Sequence, residues 1–239
     1  MKLALVTGGS RGLGLALCQQ LEQAGWQLRE FSRSAPHAHS VRVDFADPDA
    51  VVDAVEATLA AIDPLACTEL LVIGNAGTLS PIGPTWRQPA RTLRQNLDAN
   101  LTSAILFLAT VVRHFRAAPC RKTILTVSSG AATKGYAGWS LYSASKAGLE
   151  GYIRALAAEE AREPQPFIAV SVNPGVIDTA MQALIRSTDA ADFPEVERFR
   201  QRHRDGQLAT PAAVAASILR LAARDDLPAG GVVDAAPGR

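Results

Sequence analysis

The chain begins with a short apolar segment that runs directly into a glycine-rich turn. Leu3 to Val6 is followed by Thr7-Gly8-Gly9-Ser10-Arg11-Gly12-Leu13-Gly14 and then by a helical pattern that stops near Gly25. A strand, a glycine turn and a helix in this order let bare backbone approach a pyrophosphate, with the helix N–H groups pointed at it. Without that context the glycines would suit a plain turn equally well. The predicted contacts are Gly8, Ser10, Arg11, Gly12, Leu13 and Gly14.

The group that reads the adenosine ribose is expected about 20 residues beyond the glycines. A second predicted strand, Gln27 to Ser32, ends there, and Arg33 follows it. A guanidinium fork suits a 2′-phosphate, whereas a carboxylate suits a free 2′-hydroxyl. We therefore expect NADP(H) rather than NAD(H), with Ser32, Arg33 and Arg11 at this end. Glu30 is the competing reader if the strand ends earlier.

Apolar segments alternate with helical patterns along the rest of the chain. Further predicted strands cover 41–44, 70–73, 123–127, 167–172 and 231–234, and predicted helices cover 47–59, 92–115, 141–162 and 210–222. This alternation is typical of an α/β fold with a parallel sheet, which binds its ligands at the carboxyl ends of the strands. At 239 residues, one domain is expected rather than two.

Small and polar residues follow several predicted strands, where such ligands would lie. Asp44 follows the third strand and suits an adenine amino group, with a plain surface carboxylate as an equal alternative. The residues after the fourth and sixth strands are expected to border the ribose and the nicotinamide: Asn75, Ala76, Gly77, Pro174, Gly175, Ile177 and Thr179.

A Tyr-x-x-x-Lys pair begins the helix that follows the fifth strand. Tyr142 and Lys146 share a helix face because they are four residues apart. A cation beside a phenol favours the phenolate, so we expect Lys146 to lower the pKa of Tyr142 from its ordinary value of about 10. Ser129, at the end of the fifth strand, is expected to hold a substrate oxygen against Tyr142. Tyr142 is therefore a candidate general acid, although such a pair in isolation usually lies on a solvated helix surface.

Together these motifs resemble the short-chain dehydrogenase/reductase family from end to end. The matching positions are the glycines of the first turn, Asn75-Ala76-Gly77, Asn100, Ser129, Tyr142, Lys146 and Pro174-Gly175. The resemblance implies a single Rossmann-type domain over residues 1–239, with about seven parallel strands and helices on both faces. It also implies an oxidoreductase that acts on CH–OH and C=O groups.

The resemblance assigns a role to each of four polar residues. Tyr142 would pass a proton to or from the substrate oxygen, and Ser129 would hold that oxygen. Lys146 would bind the nicotinamide ribose and tune Tyr142, while Asn100 would position a water in a proton relay from Lys146. One departure from the family pattern is Gly74, where many relatives carry an asparagine, and we expect no loss of activity from it.

Two further segments, Asn75 to Gly83 and Thr179 to Pro194, resemble the sepiapterin reductase and bacterial benzil reductase branch of the family. That resemblance implies NADPH-dependent reduction of one carbonyl of an aromatic or vicinal dicarbonyl compound. Ser129, Trp139, Tyr142 and Met181 are the expected substrate contacts. Two alternatives stay open, an NAD-dependent alcohol dehydrogenase and a non-catalytic dinucleotide-sensing protein.

Residues 178–208 lack a strand pattern and join a ligand-side strand end to the last helix, which predicts a substrate lid. The arginines at 198, 200, 202 and 204 within it are expected to be a solvated surface. Relatives often pair through the helices that begin near Thr92 and Leu141, so the resemblance implies a homodimer or homotetramer.

Composition narrows the choice of partners. A net charge of +1 without basic or acidic blocks gives no reason to expect nucleic acid or an anionic membrane. Cys18, Cys67 and Cys120 lie far apart, which suits a reducing compartment and argues against a zinc site. The amino terminus leaves no room for a signal peptide, and no apolar run approaches bilayer length. We therefore expect a cytoplasmic protein that binds no metal.

Overall fold

The computed structural model describes residues 1–235, which contain one sheet of seven parallel strands in the order β3-β2-β1-β4-β5-β6-β7. The strands are β1 (Lys2–Thr7), β2 (Gln27–Ser32), β3 (Ser40–Arg42), β4 (Glu69–Gly74), β5 (Arg121–Val127), β6 (Phe167–Asn173) and β7 (Val232–Asp234). Helices cover both faces of this sheet. The predicted Rossmann-type fold is confirmed.

Eight α-helices lie within residues 1–235. They are α1 (Gly12–Gln23), α2 (Pro48–Leu59), α3 (Ala90–Leu97), α4 (Ser103–Phe115), α5 (Ser140–Glu160), α6 (Ala180–Ser187), α7 (Val196–Arg204) and α8 (Pro211–Ala222). Asp47 and Thr210 accept hydrogen bonds from the first turns of α2 and α8, and a proline follows each of them. A proline at this position removes no helical hydrogen bond, which explains why both helices begin where the sequence predicts.

Strand β1 shows how the two cores are built. Its side chains alternate between the faces of the sheet, so Leu3 and Leu5 join one core with α2, α4 and α5. Ala4 and Val6 join the other core with α1 and α8. An uninterrupted apolar strand is therefore required in the middle of the sheet.

The order of the strands reverses at β1, which has β2 on one side and β4 on the other. Connections on the two sides therefore leave in opposite directions, and a crevice opens between the carboxyl ends of β1 and β4. No helix within residues 1–235 combines the length and apolarity needed to cross a bilayer.

The predicted helix over 92–115 is confirmed as a continuous helical run from Ala90 to Phe115, but it is not α-helical throughout. It is divided into α3 and α4 by a π-helical segment, Asp98–Thr102. The apolar periodicity of the sequence continues across the division, so the extra residue per turn is invisible in the pattern. The third strand is also shorter than predicted, and it ends at Arg42 rather than Asp44.

Candidate active site

A cleft of about 1440 Å³ lies over the carboxyl ends of the strands. Every predicted cofactor and substrate residue lines it, from the Gly8 turn through Ser32, Arg33 and Asp44 to Met181. Asn100 is the exception among the predicted site residues, because it is buried behind the wall of the cleft. The structure thus brings together predicted residues that are up to 173 positions apart in the chain, from Gly8 to Met181.

The glycine turn is packed so closely that side chains are excluded. A Cβ on Gly14 would stand 2.1 Å from the Gly8 carbonyl oxygen and 2.6 Å from Asn75 Nδ2. Gly8 and Gly12 have φ values of +70° and +55°, which favour glycine. Asn75 Nδ2 donates to the carbonyl oxygens of Thr7 and Gly8 at 3.1 and 3.0 Å. Asn75 therefore fixes the turn as well as bordering the cleft.

Glu30 lies beneath this turn rather than in the cleft. Its side chain is fully buried, and it accepts hydrogen bonds from Gly9 N at 2.8 Å and from the hydroxyls of Ser32 and Ser40 at 3.1 and 2.6 Å. A carboxylate that is used in this way has no free face for a ribose. Arg33 is exposed at the edge of the cleft instead.

These features fit a nicotinamide dinucleotide. The glycines leave room for a pyrophosphate against the backbone, and the first turn of α1 has no side-chain cap on its N–H groups. The guanidinium groups of Arg11 and Arg33 lie at the same end of the cleft as Asp44. The Asp44 carboxylate accepts from Ala46 N at 3.0 Å, so it also shapes its own turn.

Ser129, Tyr142 and Lys146 converge near the end of β5. Lys146 Nζ is buried 5.6 Å from the centre of the Tyr142 ring and donates to the Val127 carbonyl oxygen at 2.6 Å. Ser129 begins a short 3-10 turn, Gly130–Ala132, and its Oγ accepts from Ala131 N at 3.2 Å. The Ser129 hydroxyl also lies beside the Tyr142 phenol and favours its ionised form.

Burial controls the protonation of Tyr142 and Lys146. It raises the pKa of Tyr142 to about 12, and the Ser129 hydrogen bond opposes this only in part. Burial also lowers the pKa of Lys146 to about 8, with the nearby Glu150 carboxylate acting in the opposite direction. The predicted lowering of the Tyr142 pKa is wrong for this structure, because burial of the phenol raises the pKa and the hydrogen bond with Ser129 is the effect that opposes it.

Asn100 holds the loop that follows β4. Its Oδ1 accepts from Thr78 N at 2.7 Å, and its Nδ2 donates to the Thr78 carbonyl oxygen at 2.8 Å. A Cβ on Gly77 would stand 3.2 Å from Asn100 Oδ1 and 3.9 Å from Lys146 Nζ. Asn100 and Lys146 therefore flank Gly77, as a relay between them requires, and the water-positioning role remains a prediction.

An aromatic wall covers Tyr142. Trp139 stacks on Phe193 with ring centres 4.6 Å apart and meets the Tyr142 ring edge-on at 6.2 Å. Phe199 packs 5.4 Å from Trp139, and Tyr136 lies 4.9 Å from it. The indole Nε1 of Trp139 is buried without a hydrogen-bond partner within residues 1–235.

Several residues that line the cleft were missed by sequence reasoning. They include Phe199, Gln182, Lys134, Arg198 and Arg202. The spacing of Arg198 and Arg202 was the available signal for this pair, because residues four apart share a helix face. Arg198 is exposed and Arg202 is partly exposed, so the solvated surface that they were expected to form includes part of the cleft lining. Trp86, by contrast, is 79% exposed and lies outside the cleft.

Comparisons with known proteins agree with this arrangement. The model of the short chain dehydrogenase family matches residues 2–190. Benzil reductase ((S)-benzoin forming) of Bacillus subtilis is 33% identical over 226 residues, which cover 92% of this chain and 93% of that enzyme. Sepiapterin reductase of Bos taurus is 30% identical, over 97% of this chain and 93% of that enzyme.

Solved structures share the fold over almost the whole chain. The KRED1-Pglu enzyme aligns with a TM-score of 0.82 and 30% identity, over 98% of this chain and 100% of that one. A short chain dehydrogenase from Burkholderia cenocepacia, solved in complex with NADP, aligns with a TM-score of 0.77 and 26% identity, over 99% and 97% of the two chains. Because the family match includes both the glycine turn and the Tyr142–Lys146 pair, the chain belongs to the short-chain dehydrogenase family.

Proposed function

We propose that this protein is an NADPH-dependent carbonyl reductase that acts on one carbonyl of an aromatic or vicinal dicarbonyl compound. The observation that carries the proposal is a buried phenol, a hydroxyl and an ammonium beneath an aromatic wall, in a dinucleotide-type cleft. Small-molecule sites usually combine such an apolar lining with a few convergent polar groups. The likeness to enzymes named benzil reductase and sepiapterin reductase supports this substrate class.

Two arginines support NADP(H) as the cofactor. Arg33 and Arg11 line the end of the cleft next to the glycine turn, where a 2′-phosphate would lie in folds of this type. A guanidinium matches phosphate geometry in a way that no other side chain at this end does. Glu30, which would favour a free ribose, is occupied beneath the turn.

The remaining predicted contacts would bind the other end of the cofactor. Asn75 to Gly77, Pro174, Gly175, Ile177 and Thr179 would hold the nicotinamide half against the strand ends. When bound, the reduced cofactor supplies a hydride to the carbonyl carbon. Lys146 would bind the adjacent ribose and Asn100 would hold the relay water.

Tyr142 is suited to act as the proton donor in the direction of reduction. With a pKa of about 12, the phenol is protonated at neutral pH. Its hydroxyl would give its proton to the carbonyl oxygen while Ser129 donates a hydrogen bond to the same oxygen. Lys146, with a pKa of about 8, can both carry and release a proton near neutral pH.

The two helices between β6 and α8 are proposed as the substrate lid. Helices α6 and α7 carry Met181, Phe199 and Arg202 into the cleft. We also propose a homo-oligomer that associates through α4 and α5, by analogy with relatives. All three cysteines are free and buried, which supports a reducing cytoplasmic setting.

The test follows the loss of NADPH absorbance with benzil, sepiapterin and other carbonyl compounds, with NADH in parallel. Tyr142→Phe should lower kcat by at least about 100-fold while NADPH still binds, because only the proton donor is removed. Tyr152→Phe is a matched control, since Tyr152 lies on the same helix but outside the cleft. Unchanged turnover in the Tyr142 variant would refute the assignment, and binding of NADPH without oxidation by any carbonyl would favour the sensor alternative.

A further inference from the structure

The arginines of helix α7 lie on two faces of the helix that differ in their ion pairs. On the outer face, Arg204 pairs with Glu197 at 2.6 Å. Arg200 is 3.5 Å from the other oxygen of Glu197 and donates to the carbonyl oxygens of Arg186 and Thr188 at 3.0 and 3.4 Å. Both outer guanidinium groups are therefore engaged by acceptors of the protein itself.

The inner face of α7 is different. Arg198, Phe199 and Arg202 all line the cleft. Arg198 pairs with Glu195 at 3.0 Å, but Arg202 is in no ion pair within the described part of the chain. The guanidinium of Arg202 lies 5.9 Å from the centre of the Phe199 ring. One cation at the mouth of the cleft thus lacks a neutralising carboxylate.

Other residues that line the cleft add to this excess of positive charge. Lys134 also lines the cleft, on the segment that leads into α5. Asp44 is the only carboxylate among the lining residues in the region 1–235, and it lies with Arg33 at the adenosine end. A cleft that is lined by one sign of charge attracts ligands of the opposite sign.

Two aromatic rings lie between Arg202 and the proposed proton donor. Phe199, the neighbour of Arg202, contacts Trp139, and Trp139 contacts Tyr142. Arg11 and Arg33 already provide cations for the phosphates of a dinucleotide at the other end. The positive charge beside Phe199 is therefore available to the substrate.

We infer that the natural substrate is an anionic member of the proposed class, an aromatic dicarbonyl compound that carries a carboxylate on its ring, remote from the reacting carbonyl, and that Arg202 binds this carboxylate. This inference rests on the proposed carbonyl reductase function. The reaction is the same two-electron reduction: the ketone carbon gains a hydride from NADPH, its oxygen gains a proton from Tyr142, and NADP⁺ and a hydroxy ketone result. The carboxylate is unchanged and serves only to bind and orient the substrate.

The test compares benzil that carries a carboxylate at the para position of one ring with the methyl ester of that acid, which has the same skeleton without the charge. Arg202→Gln should lower the ratio of kcat/KM for the acid to kcat/KM for the ester by about tenfold, mainly through KM for the acid. Arg204→Gln is the matched control, because Arg204 lies on the outer face of the same helix, and it should leave the ratio unchanged. Added salt should raise KM for the acid in the unaltered protein.

Three results would overturn the inference. Equal losses on acid and ester would assign Arg202 to packing of the lid, and a matching rise in KM for NADPH would assign it to the cofactor. A wild-type KM for the acid that does not respond to salt would exclude charge recognition. If neither ketone is reduced, the proposed function fails, and calorimetric titration of the NADP⁺-loaded protein with the same acid tests recognition of the carboxylate separately. Binding about tenfold weaker in Arg202→Gln would support it, and equal or absent binding would reject it.

Discussion

The ammonium of Lys146 donates a 2.6 Å hydrogen bond to the carbonyl oxygen of Val127, and both residues are buried at the end of β5. This contact fixes the position of Lys146 before any ligand binds. It also places a titratable group where water cannot solvate its charge. The position is therefore suited to chemistry and unfavourable for stability.

The first prediction concerns the dependence of stability on pH. Burial lowers the pKa of Lys146 from 10.5 to about 8, so the unfolded chain holds more protons than the folded chain between these values. The contribution of Lys146 to the free energy of unfolding should therefore rise with pH from about 8 to 10.5, by on the order of 3 kcal/mol. Below pH 8 the whole penalty for burying the charge is present.

Lys146→Met tests this directly. The variant should abolish the rise and should be more stable than the natural protein at pH 7 by about 1–3 kcal/mol, while its turnover is lost. Urea denaturation at several pH values up to 10 gives the measurement. Burial raises the pKa of Cys18 and of Tyr142 to about 12, so these groups lower the free energy of unfolding above pH 9 and pH 10 respectively. They do so in both proteins, and the difference between the two proteins therefore isolates Lys146. A variant that keeps the same slope would contradict the assignment.

The second prediction concerns Gly14. A methyl group there would meet the Gly8 carbonyl oxygen at 2.1 Å, and because this oxygen belongs to the backbone, the turn itself would have to shift. Gly14→Ala should lower the free energy of unfolding by about 2–4 kcal/mol and abolish dinucleotide binding. Thermal melts and NADPH fluorescence titration measure the two effects.

Gly151→Ala on α5 is the matched control for Gly14→Ala. A Cβ on Gly151 would have no neighbour within 4 Å. Because alanine favours a helix interior over glycine, the control should be neutral or more stable by up to about 1 kcal/mol. Equal losses in both variants would mean that the close packing at Gly14 is not the cause.

Local patterns predicted most of the fold. The continuous apolar run of β1 indicates burial on both faces, and the side chains of Leu3 and Ala4 do enter opposite cores. Pro48 and Pro211 mark helix starts because their geometry is restricted locally. The cluster of Ser129, Tyr142 and Lys146 was predictable because strand ends and helix faces are regular, and this regularity brings residues that are distant in the chain close together.

Other features depend on contacts that no local pattern contains. Glu30 and Arg33 both stood as readers of the ribose. The Glu30 carboxylate is buried by hydrogen bonds from Gly9, Ser32 and Ser40, and no local pattern predicts these contacts. The π-helical segment at Asn100 accompanies its pairing with Thr78, which is 22 residues away. The pKa of Tyr142 depends on how deeply the phenol is buried, which spacing alone does not indicate.

The third prediction concerns this pairing of Asn100. Asn100→Ala would leave both the N–H and the carbonyl of Thr78 without partners in a partly buried loop. The free energy of unfolding should fall by about 1–3 kcal/mol, and kcat should fall because the loop borders the cleft. Thr102→Ala is the control, since Thr102 is exposed on the same segment. An unaltered urea midpoint in the Asn100 variant would show that the loop does not depend on this side chain.

The last prediction separates the two cofactors. Arg33→Ala should raise the Kd for NADPH by roughly 10- to 100-fold, because a charge-assisted contact with a 2′-phosphate contributes about 1.5–3 kcal/mol. The Kd for NADH should change little, since NADH has no phosphate there. Arg42→Ala serves as the control, because Arg42 is exposed on neighbouring β3 but does not line the cleft. Glu30 cannot replace the lost contact, since its carboxylate is held by Gly9 and Ser40 beneath the turn. Equal effects of Arg33→Ala on both dinucleotides, or none on either, would mean that this arginine does not select the cofactor.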